Sequence, residues 1–423
     1  MNTISDLARK AATEPPPTRP VRILTLASVF PNPTETDYGL FVYRRMREVA
    51  ERTPVRAVAP IPYIQYGNPR RKIPDLANIP LHRSEPHLEI DHPRLFYPPL
   101  AGPLVSAFQW AFLAPLFRSL ERSFRFDVID AHFAHPEGVT AAMLGRTFGK
   151  PVVITIRGNE PTHAANSSFR RRSMQWALGR AARVIAVSRR LRDFAVELGC
   201  EPRRVVTIPN GIDSEVFHPC DRGEARRQFG LAPEGIYILS AGYLIERKGH
   251  HRIAEALGQL KARGIQAELL IAGGPGREGN FEAAIHAAVE AFGVRERVRF
   301  LGPLRPDQLS RLMSAADVFC LASSNEGWPN VLHEAMACGA PVVATDVGAA
   351  PQMVPNQDVG IVVPFGDIGK LAEGLERALV KRWDRPAIAA WAQQRSWKAV
   401  AGEVVALMRE VVEEDRRRKG LTP

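Results

Sequence analysis

The sequence predicts an α/β protein of two domains, each built around a doubly wound parallel sheet. Two observations carry this prediction. Short apolar runs rich in β-branched residues alternate with helical patterns through both halves of the chain, which is typical of parallel sheets covered by helices. At 423 residues the chain is also too long for one ordinary core and suits two domains. We expect the functional cleft between the two sheets.

The first half contains apolar runs that we predict to be strands. They are residues 21–27, 55–59, 127–132, 151–156, 184–187 and 205–208. Helical patterns cover 41–52 and 188–198, the second with Ser188 as its cap. We therefore place an N-terminal domain at residues 21–212, after a mobile, proline-rich extension at 1–20.

The second half repeats the alternation. Predicted strands begin at Ile236 and continue at 268–272, 298–301, 318–321, 341–345 and 361–363. The connection between domains falls within 207–235, and the C-terminal domain covers 213–395. A last helical pattern lies at about 396–412.

Composition and cysteine spacing argue against a secreted protein and against a zinc or redox protein. Hydrophobic residues at 45% and charged residues at 24% are ordinary for a soluble globular protein. The N-terminus lacks an apolar core of signal-peptide length, and the four cysteines show no close-spaced zinc or redox motif. A cytoplasmic protein with reduced thiols is therefore expected.

The net charge of +11 is concentrated in the first half, where residues 21–206 hold 27 Lys and Arg against 16 Asp and Glu. Such an excess indicates an anionic partner, and an anionic membrane surface or a lipid-linked pyrophosphate acceptor fits it. Nucleic acid is not expected, because the basic residues lack interleaved aromatic residues and a recognisable binding motif. Arginine richness from a GC-rich genome is the alternative explanation.

Residues 95–117 form an uncharged stretch of 23 residues, long enough to cross a bilayer. Four prolines within it argue against a continuous spanning helix. We predict instead a helix at about 104–117 that lies on the surface at the membrane interface. A buried helix that covers the sheet is an equal alternative.

The most informative motif runs from Ser324 to Gly339 with the sequence SNEGWPNVLHEAMACG. It follows an apolar strand, and its Pro-Asn pair suits the start of a helix. Glu326 then lies in the loop and Glu334 about one turn inside the helix.

The N–H groups near Val331 and Leu332, at the positive end of the helix dipole, predict a site for an anion such as a phosphate. Two acids beside an anion site fit a ligand with hydroxyls on either side of a phosphate, as in a nucleotide sugar. A capped core helix is the alternative for this motif taken alone.

A second motif of the same half contains an apolar strand from Ile236, then Gly242, then the cations Arg247 and Lys248 before a helix at 250–260. Ligands of open α/β sheets bind at the carboxyl ends of strands, where this loop is expected. The glycine permits close approach of the backbone to a ligand, and the two cations suit a diphosphate.

Together these motifs resemble those of the retaining glycosyltransferases of family 4, which have the two-domain GT-B architecture. The resemblance is carried by the glycine followed by Arg-Lys, by the spacing of Glu326 and Glu334, and by the run EAMACGAPVVAT. Supporting matches at 187–188, 208–213 and 272–276 extend it over most of residues 21–410. It implies two Rossmann-like domains facing a cleft, with the final helix crossing back to the N-terminal domain. The sequence alone equally permits an ordinary helix of the C-terminal domain.

The resemblance implies a donor site for a nucleotide diphosphate sugar. Glu334 would hold ribose hydroxyls and Glu326 hydroxyls of the sugar, while Arg247 and Lys248 would stabilise the departing diphosphate. The predicted donor-binding residues are Gly39, Gly242, Arg247, Lys248, Glu326, Gly327, Asn330, Val331, Leu332 and Glu334.

Two matches lie in the N-terminal domain. Gly39 ends a long loop that resembles the family's glycine-containing loop facing donor and acceptor. His132 ends a strand where the family often places a histidine near the transferred sugar, so it joins Arg247, Lys248 and Glu326 as a predicted catalytic residue. His135 follows three residues later, but without a third ligand no metal site is predicted.

The end of another strand departs from the family's pattern. Many relatives have His-Gly there with an acid two positions later, whereas this chain has Arg157 in place of the histidine and moves the acid to Glu160. The departure leaves the identity of the acceptor open. We predict both residues to bind the acceptor, with Arg157 contacting a phosphate.

The predicted function is metal-independent, retaining transfer of a sugar from a nucleotide diphosphate sugar to an acceptor hydroxyl. A lipid-linked glycan of bacterial envelope or exopolysaccharide synthesis is the expected acceptor, with the protein on the cytoplasmic face of the inner membrane. No cofactor is expected, and no Asp-x-Asp motif is present. A nucleotide-sugar 2-epimerase of the same architecture and a non-catalytic nucleotide-sugar-binding protein are the alternatives.

Overall fold

The computed structural model describes residues 19–63, 76–96, 102–276 and 279–421. The predicted extension at 1–20 lies outside these residues except for its last two. The chain divides into two compact units. Unit 1 comprises Met1–Gly211 together with Trp397–Pro423, and unit 2 comprises Ile212–Ser396.

Strands and helices alternate through both units. Unit 1 contains, in order, β1 (Ile23–Leu26), α1 (Leu40–Ala50), β2 (Val55–Val58), β3 (Ile61–Pro62), β4 (His82–Glu85), β5 (Leu88–Asp91), β6 (Arg94–Leu95), α2 (Val105–Ser123), β7 (Val128–His132), a π-helical turn (Ala134–Gly138), α3 (Val139–Phe148), β8 (Val152–Ile156), α4 (Glu160–Asn166), α5 (Ser168–Leu178), β9 (Arg183–Ala186), α6 (Arg189–Glu197) and β10 (Val205–Thr207). Unit 2 contains α7 (Arg222–Gln228), β11 (Ile236–Ala241), α8 (His250–Ala262), β12 (Ala267–Ala272), α9 (Glu282–Ala291), β13 (Val298–Gly302), α10 (Pro306–Ala315), β14 (Val318–Leu321), α11 (Asn330–Ala337), β15 (Val342–Thr345), α12 (Ala350–Met353), β16 (Gly360–Val363), α13 (Ile368–Val380) and α14 (Arg385–Gln393). The chain then returns to unit 1 with α15 (Trp397–Arg418).

Among the described residues of unit 1, eight strands form one sheet in the order β10-β9-β8-β7-β1-β2-β5-β4. Neighbouring strands are parallel except at the edge, where β4 is antiparallel to β5. Strands β7 and β8 are buried along their whole length, as is usual for central strands of a parallel sheet that is covered on both faces. The strand order reverses between β1 and β7, and the loops after these two strands meet at the switch point where such sheets bind ligands.

Unit 2 has a six-stranded, wholly parallel sheet in the order β13-β12-β11-β14-β15-β16. Its order reverses between β11 and β14. The loops after these strands contain the second and the first sequence motif, respectively. The topology therefore brings together two segments that lie about eighty residues apart in the chain.

The final helix α15 packs on unit 1 through a continuous apolar stripe. Its buried residues include Val400, Val404, Leu407, Met408, Val411 and Val412, which join the core formed with α1 and the sheet. Its polar face forms ion pairs with the sheet, because NH2 of Arg183 lies 2.7 Å from Oε1 of Glu410 and 2.6 Å from Oε1 of Glu414. The predicted return of this helix to the N-terminal domain is confirmed.

Every strand predicted from the sequence is present, and Ser188 caps α6 by accepting a hydrogen bond from the N–H of Leu191 at 3.3 Å. The antiparallel strand β4 and its neighbour β5 were not predicted, because their charged residues at the sheet edge give no apolar run. The four cysteines are free thiols.

The helix predicted at 104–117 is confirmed, but it continues through Pro115 to Ser123. One face of α2 is buried through Val105, Leu113 and Phe117. Part of the stretch at 95–117 lies outside the described residues. Within the described chain, no helix is both long enough and apolar enough to cross a bilayer.

Candidate functional site

Three predicted donor-site residues meet at the switch point of unit 2. The Nζ of Lys248 lies 2.6 Å from Oε1 of Glu326, and NH1 of Arg247 lies 3.8 Å from Oε2 of the same carboxylate. The hydroxyl of Ser323 donates to Oε1 of Glu326 at 2.9 Å. The two loops are also joined through their backbones, because the N–H of Ser324 donates to the carbonyl of Arg247 at 2.9 Å. We call Arg247, Lys248 and Glu326 the charged trio.

Close backbone contacts require glycine on both sides of the charged trio. Gly249 has φ +74°, and a Cβ there would lie 2.0 Å from the carbonyl oxygen of Ala322. Gly348 has φ +53°, and its Cβ would lie 2.0 Å from the carbonyl oxygen of Glu326. A side chain at Gly249 would push apart the loops after β11 and β14, and one at Gly348 would push the loop after β15 away from the loop after β14. The predicted Gly242 has φ +145° and lies under the side chain of Lys248.

The charged trio carries a net positive charge in a partly desolvated place. The side chains of Lys248 and Glu326 are 13% and 8% exposed, and that of Arg247 is 25% exposed. Fixed charges in such surroundings act more strongly than in water and need no reorganisation when an anionic group arrives. The trio is therefore suited to holding a phosphate-bearing ligand.

The helix of the first motif begins where predicted, at Asn330, with Glu334 half-buried one turn later. Gly327 is buried in the loop before it, and Val331 is half-buried in its first turn. The prediction of a free N–H at Leu332 is wrong. That group donates to the carbonyl of Pro329 at 3.0 Å, because the first turn closes with a tight i to i+3 bond.

His250 supports the same loop and was missed by the sequence analysis. It is the first residue of α8, and its Nδ1 lies 3.0 Å from the hydroxyl of Ser240 at the end of β11. Burial lowers the pKa of this imidazole to about 4, so it is neutral near pH 7. The signal available in the sequence was the histidine that follows Lys-Gly at the start of a helix.

In unit 1, His132 lies at the end of β7 inside a buried polar chain. Its Nε2 lies 3.0 Å from Oδ2 of Asp130, and its Nδ1 accepts from Nε of Arg157 at 3.0 Å. The side chain of His132 is fully buried. Burial, with the nearby charges of Arg157 and Arg45, lowers the pKa of His132 to about 4 although Asp130 opposes the shift. His132 is predicted to position or polarise groups at the site and not to attack. With both nitrogens occupied and no exposed surface, its ring does not fit polarisation by direct contact with the sugar, which leaves the positioning role as the prediction.

Arg157 and Glu160 are also placed differently from their prediction as acceptor-binding residues. The guanidinium of Arg157 donates to His132 and, through NH1, to Oδ1 of Asn210 at 3.1 Å, and it stacks on the ring of Phe41. The carboxylate of Glu160 accepts the backbone N–H groups of Arg157, Gly158 and Ala134. Both side chains are buried. They hold loops together, and direct contact with an acceptor does not fit this geometry.

Gly39 closes the loop after β1. Its φ is +79°, and a Cβ there would lie 2.4 Å from the carbonyl oxygen of Val29. The loop must therefore fold back on its own start, which places its middle at the switch point of the unit 1 sheet.

Among the described residues, no group of three or more metal-ligating side chains occurs.

Family models cover both units. The model described as Glycosyltransferase Family 4 matches residues 74–216, and the model described as Glycosyl transferases group 1 matches residues 221–395. The chain is therefore similar to the family 4 glycosyltransferases in parts of both units. The charged trio lies within the second match.

Two curated relatives each match about half of the chain. The D-inositol 3-phosphate glycosyltransferase of Actinosynnema mirum is 34% identical over 194 residues, which is 45% of this chain and 46% of that protein. The N-acetyl-α-D-glucosaminyl L-malate synthase of Bacillus anthracis is 25% identical over 249 residues, 58% of this chain and 64% of that protein. The chain spans about half the length of the curated relatives it matches.

Solved structures share the fold. The crystal structure of Anabaena HepE in complex with UDP and glucose matches with a TM-score of 0.70 and 22% identity, over 92% of this chain and 99% of that one. The sucrose-phosphate synthase of Thermosynechococcus elongatus matches with a TM-score of 0.67 and 20% identity, over 94% and 98%. The GT-B fold implied by the sequence motifs is therefore confirmed.

Proposed function

We propose that this protein is a family 4 glycosyltransferase that transfers a sugar, with retention at the anomeric carbon, from a nucleotide diphosphate sugar to an acceptor hydroxyl. The observation that carries the proposal is the charged trio at the switch point of unit 2, where Lys248 and Arg247 converge on the Glu326 carboxylate. The matches to the two family models, and the D-inositol 3-phosphate glycosyltransferases among the curated relatives, support the same reaction class.

Each member of the site has a role in this proposal. Lys248 and Arg247 bind the diphosphate and stabilise the negative charge that develops as it departs. Glu326 exchanges its contact with Lys248 for hydroxyls of the donor sugar, and Glu334 binds the ribose. Fixed cations take the place that a divalent ion has in other sugar transferases, so the reaction is proposed to need no metal.

The acceptor is proposed to be a lipid-linked glycan of envelope or exopolysaccharide synthesis. The support lies in unit 1, at Leu104 directly before α2 and at Phe112 on its outer face. These side chains are 58% and 46% exposed, and Phe108 lies between them on the same face. Exposed arginines follow at the end of this helix, namely Arg118, Arg122 and Arg125. An apolar stripe with cations at one end suits an anionic membrane surface.

A nucleotide screen tests the donor site. Thermal unfolding is measured with UDP, GDP, ADP and their common sugars, and one nucleoside diphosphate is expected to raise the melting temperature in proportion to its occupancy. With that nucleotide sugar, release of the nucleoside diphosphate should require an acceptor. No response to any nucleotide would contradict the proposal. Conversion of UDP-N-acetylglucosamine without acceptor would favour the epimerase.

Vesicle binding tests the membrane contact. We expect the protein to co-sediment with vesicles that contain phosphatidylglycerol and less with pure phosphatidylcholine, and to be released by salt. The double variant Leu104→Asp/Phe112→Asp should lose this binding, because both carboxylates would have to enter the interface. Phe365→Asp is the matched control, since Phe365 is 44% exposed but lies in unit 2. Equal binding by the double variant and the control would exclude α2 as the contact.

A further inference from the structure

Glu137 is a buried carboxyl of unit 1 outside the predicted donor site. It lies in the π-helical turn after β7, at the switch point of the sheet, and is only 4% exposed. Glu137 is the one acid among residues 131–145 of the sequence. A buried carboxyl at the ligand-binding edge of a parallel sheet calls for an explanation, since such groups are costly unless they are bonded or protonated.

Glu137 is joined to the loop that ends at Gly39. Its carboxyl accepts hydrogen bonds from the N–H and the hydroxyl of Ser28, the second residue after β1. Helix α2 completes the cluster with uncharged groups, because Gln109 donates to the Ser28 hydroxyl at 3.4 Å and accepts from Thr140 at 2.7 Å. Glu137 therefore ties the loops after β1 and β7 to each other.

Glu160 is the charged group that acts on Glu137. It accepts three backbone N–H groups from the loops after β7 and β8. Burial raises the pKa of Glu160, although these N–H groups oppose the shift. Burial above all, together with the negative charge of Glu160, raises the pKa of Glu137 to about 7 although Ser28 opposes the shift. Two neighbouring buried carboxyls do not readily ionise together, so the pair keeps a proton to higher pH than exposed carboxyls do.

We propose that Glu137 is a positioning residue that holds the loop from Ser28 to Gly39 against the turn after β7. Through this contact and those of Glu160, the two acids fix three loops at the carboxyl edge of the sheet without touching the substrate. A role of Glu137 in catalysis rests on the proposed function, in which the loop from Ser28 to Gly39 faces the donor and the acceptor.

The first test compares the stability of the full chain with that of Glu137→Gln from pH 4 to 8.5. A carboxyl whose pKa is raised on folding contributes stability that is complete below its unfolded pKa and is lost as pH rises through the folded pKa. The wild type should therefore lose stability relative to Glu137→Gln between about pH 4.5 and 7. The expected change in the ratio of unfolding constants is on the order of a hundredfold. Glu51→Gln, at an exposed carboxyl of unit 1, should behave as the wild type.

The second test measures hydrogen exchange of peptides covering residues 28–39, corrected for the intrinsic effect of pH. Protection in the wild type should fall as pH rises through about 7, whereas Glu137→Gln should keep it. Ser28→Ala retains the N–H bond and loses the hydroxyl bond, so it should weaken protection at every pH. Identical pH profiles for the wild type and Glu137→Gln in both measurements would overturn the proposal.

A third measurement, nucleotide binding at the donor site, is independent of the two stability tests. Thermal stabilisation by the nucleoside diphosphate found in the screen should be largely kept in Glu137→Gln, because the charged trio proposed to hold the diphosphate lies in unit 2. Once a transfer assay exists, the pH profile of turnover should lose an ionisation near pH 7 in this variant. Failure of the proposed function would appear as the absence of any nucleotide response in wild type and variant alike, and would leave the two stability tests standing.

Discussion

Lys248→Ala is expected to lower sugar transfer by roughly 10²–10³-fold, the usual cost of removing one group that stabilises developing charge. Lys248 is the nearest cation to Glu326 in the charged trio and is only 13% exposed. Without it, the departing diphosphate loses its main fixed positive charge. The Glu326 carboxylate is left with Arg247, 3.8 Å away, and repels the phosphate. The variant should also lose most of its thermal stabilisation by the nucleoside diphosphate.

Glu326→Gln separates binding from turnover within the same trio. It removes the negative charge that opposes the diphosphate, so thermal stabilisation by the nucleoside diphosphate should be kept or increased. Transfer should still fall severely, because the amide replaces a carboxylate proposed to bind sugar hydroxyls. Lys370→Ala is the matched control for Lys248→Ala, since Lys370 is an exposed lysine of unit 2 that pairs with Glu373 at 2.8 Å. Near-normal turnover in both Lys248→Ala and Glu326→Gln would refute the assignment of the site.

The arrangement of the charged trio could be anticipated because it depends on local patterns and topology. Each loop follows an apolar strand, and neighbouring parallel strands end at the same edge of a sheet. Given the strand order, Lys248 and Glu326 had to come near each other. The direct ion pair between them was not foreseen, since the sequence motifs describe each loop separately and not the contact between them.

The role of His132 could not be read from the sequence, because its burial is decided by residues distant in the chain. Arg157 occupies one of its nitrogens, and Asn210 and Phe41 hold Arg157 in place. The sequence pattern of a histidine at the end of a strand is identical whether its ring contacts a ligand or an arginine. Glu137 was overlooked for the opposite reason: a lone acid in an uncharged run was available as a signal, but only the structure shows that Ser28 and Glu160 surround it.

Val404→Asp in α15 is expected to destabilise unit 1 by more than about 4 kcal/mol, enough to abolish a marginally stable fold. Val404 is fully buried in the core that α15 shares with α1 and the sheet. A carboxylate there would lose its hydration within an apolar cluster, so the variant either buries a charge or takes up a proton, and both are costly. Ala399→Asp introduces the same side chain at an exposed position in the first turn of α15, where an acid suits the helix dipole, and should change the denaturation midpoint little.

The comparison of these two variants tests whether the last helix is a structural part of unit 1. Val404→Asp should give little soluble protein or a much lower denaturation midpoint, while Val404→Ala should cost less because it removes volume without adding charge. The ion pairs of Arg183 with Glu410 and Glu414 lie partly in solvent and cannot offset such a loss. A Val404→Asp protein as stable as Ala399→Asp would show that the apolar stripe of α15 contributes little to folding, contrary to its burial.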